Sequence, residues 1–123
     1  MENNTQSNGP DHLIARQWYF YPTSHRDRTN LVVHLLTVPL FMAGTLVIPL
    51  AIVVSPWLAP AGIASMIAAL ALQGRGHRRE QNRPAPFRGP ADIAARIFVE
   101  QWITFPGFVL TGGLLRAWRS ARR

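Results

Sequence analysis

Apolar residues run almost unbroken from Leu31 to Val54 and again from Ala59 to about Gln73. Between Thr29 and Gly74 there is no Asp, Glu, Lys or Arg, and the one titratable side chain is His34. A soluble helix pair of this length carries a polar stripe on its wet face, so a stretch without one is solvated by something other than water. The first run is long enough to cross a hydrocarbon core as a helix. Pro39 and Pro49 should kink it, which membrane helices tolerate better than soluble ones. The second run is shorter and rich in Ala, Gly and Ser, a composition that lets its backbone pack closely on the first. Ser55-Pro56-Trp57 between them reads as a tight turn. The pattern therefore predicts a hairpin of two antiparallel spans.

The flanks are mixed. His12 to Phe20 reads as a short amphipathic helix ending in the aromatic run Trp18, Tyr19 and Phe20, suited to the head-group level. Tyr21 to Asn30 is a polar connector containing Pro22, with Thr29 or Asn30 placed to cap the first span. Gly74 to Pro90 is basic and Pro-rich, and its first part, through Glu80, extends the second helix. A third helix is predicted from Asp92 to about Leu115. There Arg96, Glu100 and Gln101 lie among Ile97, Phe98, Trp102, Ile103 and Phe105, which suits an amphipathic helix in the interface better than a clean span. Pro106-Gly107 should bend it. The expected fold is a small all-α integral membrane protein: a transmembrane hairpin plus an amphipathic or third membrane helix. Residues 1–10 read as a disordered lead-in, 11–118 as one helical membrane domain and 119–123 as a basic tail.

Charge sharpens this picture. The 123-residue chain has a net charge of +7, carried by arginines without a single lysine. Arg26 and Arg28 precede the apolar region, and Arg75, Arg78, Arg79, Arg83 and Arg88 follow it. Basic residues flanking apolar spans mark a cytoplasmic side and attract anionic lipid. Because these residues bracket hydrophobic spans instead of forming a soluble basic face, the charge does not indicate nucleic-acid binding. Without cysteine there is no disulfide or thiolate chemistry.

A hairpin returns the end of its second span to the side where the first began. About 32 Å of helix separates His34 from Ser55, and about 26 Å separates Pro60 from His77. His34 and His77 should therefore lie at similar depth, near His25 in the connector. Glu80 follows His77 by three positions and Asn30 precedes His34 by four, so each shares a helix face with its histidine. Imidazoles with a carboxylate and open positions are what a non-haem Fe(II) oxygenase uses to bind metal, substrate and dioxygen. Each residue also has a plainer reading. His34 would bond a neighbouring helix, His25 would be solvated, His77 would belong to a lipid-binding face, and Glu80 would pair with Arg79 or Arg83.

Two motifs add a resemblance. The run YFYPTSHRDRTNLVVHLLTVPL, Tyr19 to Leu40, with His25, Asn30, His34 and Pro39, resembles the opening signature of the 2-hydroxy-fatty-acid dioxygenase-like family. Gly76, His77, Glu80, Arg83, Pro84 and Ala85 resemble its second signature. The segment from Pro86 to Gly113, with EQWITFPGFVL, is similar to the tail of short bacterial members. The resemblance implies an Fe(2+)-dependent oxygenase that removes one carbon from long-chain 2-hydroxy fatty acids, with His25, His34 and His77 as iron ligands.

Two functional readings follow. In the first, the chain is a membrane-embedded Fe(II) dioxygenase in the bacterial inner membrane, its histidine-bearing side cytoplasmic. Asn30 would orient His34 or bond the substrate, and Glu80 would ligate metal or fix His77. Arg78, Arg79 and Arg83 would hold the substrate carboxylate. In the second, it is a non-enzymatic membrane module that binds anionic lipid or a partner helix through its arginines and its small-residue span. Either is compatible with a homo-oligomer.

Overall fold

The structure, a computed structural model, describes residues 12–121. The expected lead-in of residues 1–10 and the last two residues of the basic tail lie outside them. The described chain is all helix and turn: α1 (Leu13–Phe20), a 3-10 turn (Tyr21–Ser24), α2 (Arg28–Leu50), α3 (Leu58–His77), α4 (Pro90–Val99), a π-helical segment (Glu100–Thr104), α5 (Phe105–Leu110) and α6 (Gly113–Ser120).

The α2–α3 hairpin is the frame. Its first helix starts earlier than the connector suggested because Asp27, and not Thr29 or Asn30, is the cap. The Asp27 carboxylate accepts the Asn30 N–H at 3.0 Å, satisfying one of the donors a helix start leaves open. The helix stops at Leu50, just after Pro49, and Ala51–Val54 continues in turns instead of in the span. α3 runs four residues further than Gln73 but ends at His77, so Glu80 stands beyond the helix. Where the two helices cross, small residues face each other. A Cβ on Gly44 would come within 2.7 Å of the Gly62 carbonyl oxygen, and one on Gly62 within 2.6 Å of that of Gly44. Only a hydrogen fits at either position, so the backbones touch there.

α4, the π segment and α5 follow one another without a break. Together with α2 and α3 they give three helices long and apolar enough to cross a membrane. The third was expected to favour the interface because of its polar residues. Of these, Gln101 is fully buried, and Arg96 and Glu100 are half-buried. The Phe105 N–H reaches back to the Glu100 carbonyl, a π-type bond just ahead of Pro106. The helix expected to reach Leu115 ends at Thr111–Gly112, where Gly112 adopts a left-handed φ of 83°. α6 then turns back, and Arg28 stacks over Trp118 at 4.8 Å while its Nε donates to the Trp118 carbonyl.

Tyr21, Leu31, Val38, Phe105 and Phe108 form the apolar core, at one end of the hairpin. Elsewhere the helices show large apolar side chains to the outside, among them Leu36 at 68%, Ile67 at 62% and Leu110 at 86% exposure. Such a belt is stable when hydrocarbon covers it.

The crossing generates a prediction. Gly44→Val should weaken the hairpin by about 1–3 kcal/mol through overpacking, whereas Gly74→Ala, with open space around its Cβ, should be neutral or stabilising. Denaturation of the two variants in detergent micelles checks this.

Candidate metal centre

The 3-10 turn after α1, started by Pro22, reverses the chain so that His25 points back between the helices. Its ring stacks on Tyr21 with centroids 3.7 Å apart and an interplanar angle of 15°. Nδ1 of His25 lies 2.9 Å from the Tyr21 carbonyl oxygen. Nearly two turns into α2, Nδ1 of His34 lies 3.0 Å from the Asn30 carbonyl oxygen. A carbonyl can only accept, so these contacts assign the proton of both neutral rings to Nδ1. Both Nε2 atoms are left with a bare lone pair, and the two are 3.4 Å apart. Burial first, and then the facing imidazoles of His34 and His77, hold His25 well below the ordinary histidine range, so it is neutral. Two neutral imidazoles with lone pairs turned toward each other repel unless a cation lies between them.

His77 closes a triangle. Its ring centroid is 4.8 Å from those of both His25 and His34, and its Nδ1 is buried with no hydrogen-bond partner among the described residues. The fourth member comes from the π segment. Glu100 places Oε2 4.0 Å from Nε2 of His25 and Oε1 4.0 Å from Nε2 of His34. One donor atom from each of His25, His34, His77 and Glu100 can be chosen so that all lie within 4.8 Å of one another. Donors around one divalent ion, at bonds of about 2.1 Å, sit about 3.0–3.4 Å apart, so small side-chain rotations close the difference. Three neutral nitrogens and one carboxylate, with an orphaned buried nitrogen among them, fit a divalent transition metal such as iron.

Glu100 went unnoticed in the sequence as a site residue, although a carboxylate inside an apolar helix is itself a signal of function. Glu80, the carboxylate the spacing favoured, is placed differently. It is buried, and its two oxygens accept the backbone N–H groups of Arg26 and Asp27 at 2.8–3.2 Å and the Asn30 side-chain amide at 2.8 Å. It grips the loop that carries His25 and the first turn of α2, whose Asn30 carbonyl meets His34. Asn30 thus bridges Glu80 and His34, through its side chain to the one and its carbonyl to the other. Gly76 leaves it room, since a Cβ there would strike the Asn30 side-chain oxygen.

Beneath the histidines lies a second polar layer. Gln73 and Gln101 exchange reciprocal amide bonds of 3.0 and 2.8 Å. Gln73 also donates to the Thr37 hydroxyl, and Gln101 to Oε1 of Glu100 at 3.1 Å. Glu100 is therefore oriented by a network spanning three helices, as ligands in metal sites commonly are.

The arginines expected at a substrate carboxylate are not brought together. Arg79 pairs with Asp27 at 3.2 Å, Arg78 is exposed, and Arg83 lines a cavity of about 290 Å³ whose wall includes His25 and Glu100. A larger cavity of about 890 Å³ borders Glu80 and Arg79 but none of the four clustered residues.

Compared with known proteins, residues 12–106 match the model of the Mpo1-like family, described as 2-hydroxy-palmitic acid dioxygenase Mpo1-like. No curated protein and no solved structure matches the chain.

Removing the Glu80 carboxylate should be far costlier than removing the neighbouring helix cap. Glu80→Ala strands two backbone donors and an amide, for a loss of about 3 kcal/mol or more; Asp27→Ala should cost about 1 kcal/mol. Comparing the unfolding midpoints of the two variants in detergent checks the ranking.

Proposed function

The chain belongs to the Mpo1-like family, and we propose that it is a membrane-embedded, Fe(II)-dependent dioxygenase that shortens a 2-hydroxy fatty acid by one carbon. The observation that carries this reading is the convergence of His25, His34, His77 and Glu100, drawn from four separate parts of the chain. Bound there, iron would supply the site at which dioxygen and the 2-hydroxy acid meet.

The residues of the chain would do the rest. The Nδ1 bonds to the Tyr21 and Asn30 carbonyls fix the tautomers of His25 and His34, so each offers Nε2 without first losing a proton. Glu100 would offset part of the metal's charge, and the Gln101 amide would hold its carboxylate in place. Glu80 and Asn30 would act at one remove by anchoring the two histidines. The surrounding helices keep bulk water from His25 and His34, each at most 1% exposed.

The arginines near the same end of the hairpin support a cytoplasmic orientation for this end, in a bacterial inner membrane. The acyl tail of the substrate would remain among lipid chains while its polar end enters the site.

Metal content is the test. Detergent-purified protein loaded anaerobically with Fe(II) should hold iron stoichiometrically. Alanine variants of His25, His34, His77 and Glu100 should each lose it while still inserting into membranes. If the wild type retains none, and vesicle binding instead depends on Arg78, Arg79 and Arg83, the chain is a lipid-binding module.

A further inference from the structure

The cluster is approached through a cavity with a distinctive charge. The cavity of about 290 Å³ beside α1 contains His25 and Glu100 in its wall, but neither His34 nor His77. The segment from Arg83 to Arg88 forms one side of it. Arg96 pins that segment across the opening: Nη2 donates to the Ala85 carbonyl at 2.7 Å and Nη1 to the Pro86 carbonyl at 3.1 Å. The same guanidinium stacks over Phe87 at 4.4 Å. With the segment held at its middle, Arg83 and Arg88 stand at its two ends, both lining the cavity.

Among the described residues neither guanidinium makes a hydrogen bond; Arg88 donates its backbone N–H to Asp92, and its charge also bears on that carboxylate. Asp92 bonds Arg96 within the wall at 3.4 Å, and Glu100 faces the histidines. With Arg16, Arg83, Arg88 and Arg96 set against those two carboxylates, the wall has an excess of positive charge, next to apolar surface from Leu13 and Phe20. Guanidinium groups bind carboxylates through paired N–H donors, and the adjoining apolar wall favours an amphiphile over a small hydrophilic anion.

We propose that this cavity is the docking site for the carboxylate end of a long-chain acid, with Arg83 and Arg88 as its anchors. The acid reaches the cluster from the His25–Glu100 side, between α1 and the Arg83–Arg88 segment. The proposal deepens the dioxygenase reading, and rests on it for the identity of the acid.

The test uses the full-length protein in detergent, stripped of metal by chelation, with binding followed by tryptophan fluorescence. The probes are 2-hydroxypalmitate, its uncharged methyl ester, and phosphatidylglycerol as a competing anionic head group. Binding of the acid should weaken about tenfold in Arg83→Gln and again in Arg88→Gln, and stay as in wild type in Arg75→Gln, an exposed position that lines neither cavity. The ester should bind weakly to all of them. Unchanged acid binding in the Arg83 and Arg88 variants overturns the proposal. So does competition by phosphatidylglycerol at equal concentration, which would make the cavity a phospholipid head-group site. Iron loading run in parallel separates the two readings. Variants that lose acid binding but keep iron support both. A wild type that binds the acid but holds no iron leaves the acid site standing and removes the dioxygenase.

Discussion

The Glu80 carboxylate joins two parts of the chain that the membrane would otherwise leave free to move apart. It sits just past the end of α3, yet its oxygens accept from the backbone of Arg26 and Asp27 and from the side chain of Asn30. A buried carboxylate is tolerated only when its lone pairs are occupied, and this one is occupied entirely by groups from the start of α2 and the loop before it. The grip sets where the loop lies, and with it His25. It also ties the first turn of α2, and so the Asn30 carbonyl on which His34 leans, to the end of α3, which bears His77. Three histidines from three elements meet because a fourth residue, outside their group, holds the backbone that carries them.

The same end of the hairpin concentrates nearly all the buried polarity of the molecule, and it does so in layers. Glu80 and Asn30 form the outermost, the three histidines and Glu100 the next, and Thr37, Gln73 and Gln101 the innermost. In a bilayer there is little water to rescue an unpaired polar group, so each layer must satisfy itself. The inner layer does, and the outer one does apart from the Asn30 side-chain oxygen. The middle one is the least satisfied: two imidazole lone pairs face each other, and among the described residues the His77 Nδ1 has no partner. Several unsatisfied nitrogens converging on one point beside a satisfied layer are the mark of a site built for something other than stability.

Much of this was legible in the chain. The charge-free stretch from Thr29 to Gly74 gave away the hairpin, and the lengths of its two arms were enough to bring His34 level with His77. Element ends were harder, because Asp27 caps α2 from within a loop whose Asp, Thr and Asn residues all suit the role. The third helix misled for a more general reason. Arg96, Glu100 and Gln101 were read as the polar face of an amphipathic helix lying in the interface. In a membrane bundle the polar face is often the one that turns inward, and here Gln101 is buried and Glu100 faces the histidines. Nor does the spacing of residues announce a π turn, so nothing local in the sequence pointed Glu100 at histidines lying far from it along the chain.

That π turn is what gives the group its carboxylate. An α-helix packed against its neighbours along one stripe presents successive residues at fixed angles, so adjacent Glu100 and Gln101 would point about 100° apart. Widening the helix by one residue over this stretch slows that rotation, and π segments recur at functional positions for this reason. Here Gln101 can pair with Gln73 in the inner layer while Glu100, one residue earlier, reaches the histidines, and the two still share a hydrogen bond. Pro106 follows directly and cannot donate a backbone hydrogen bond, so an interruption of the regular ladder costs least just before it. The backbone irregularity and the inward-facing carboxylate are two consequences of one local choice, made where the helix was already weakest.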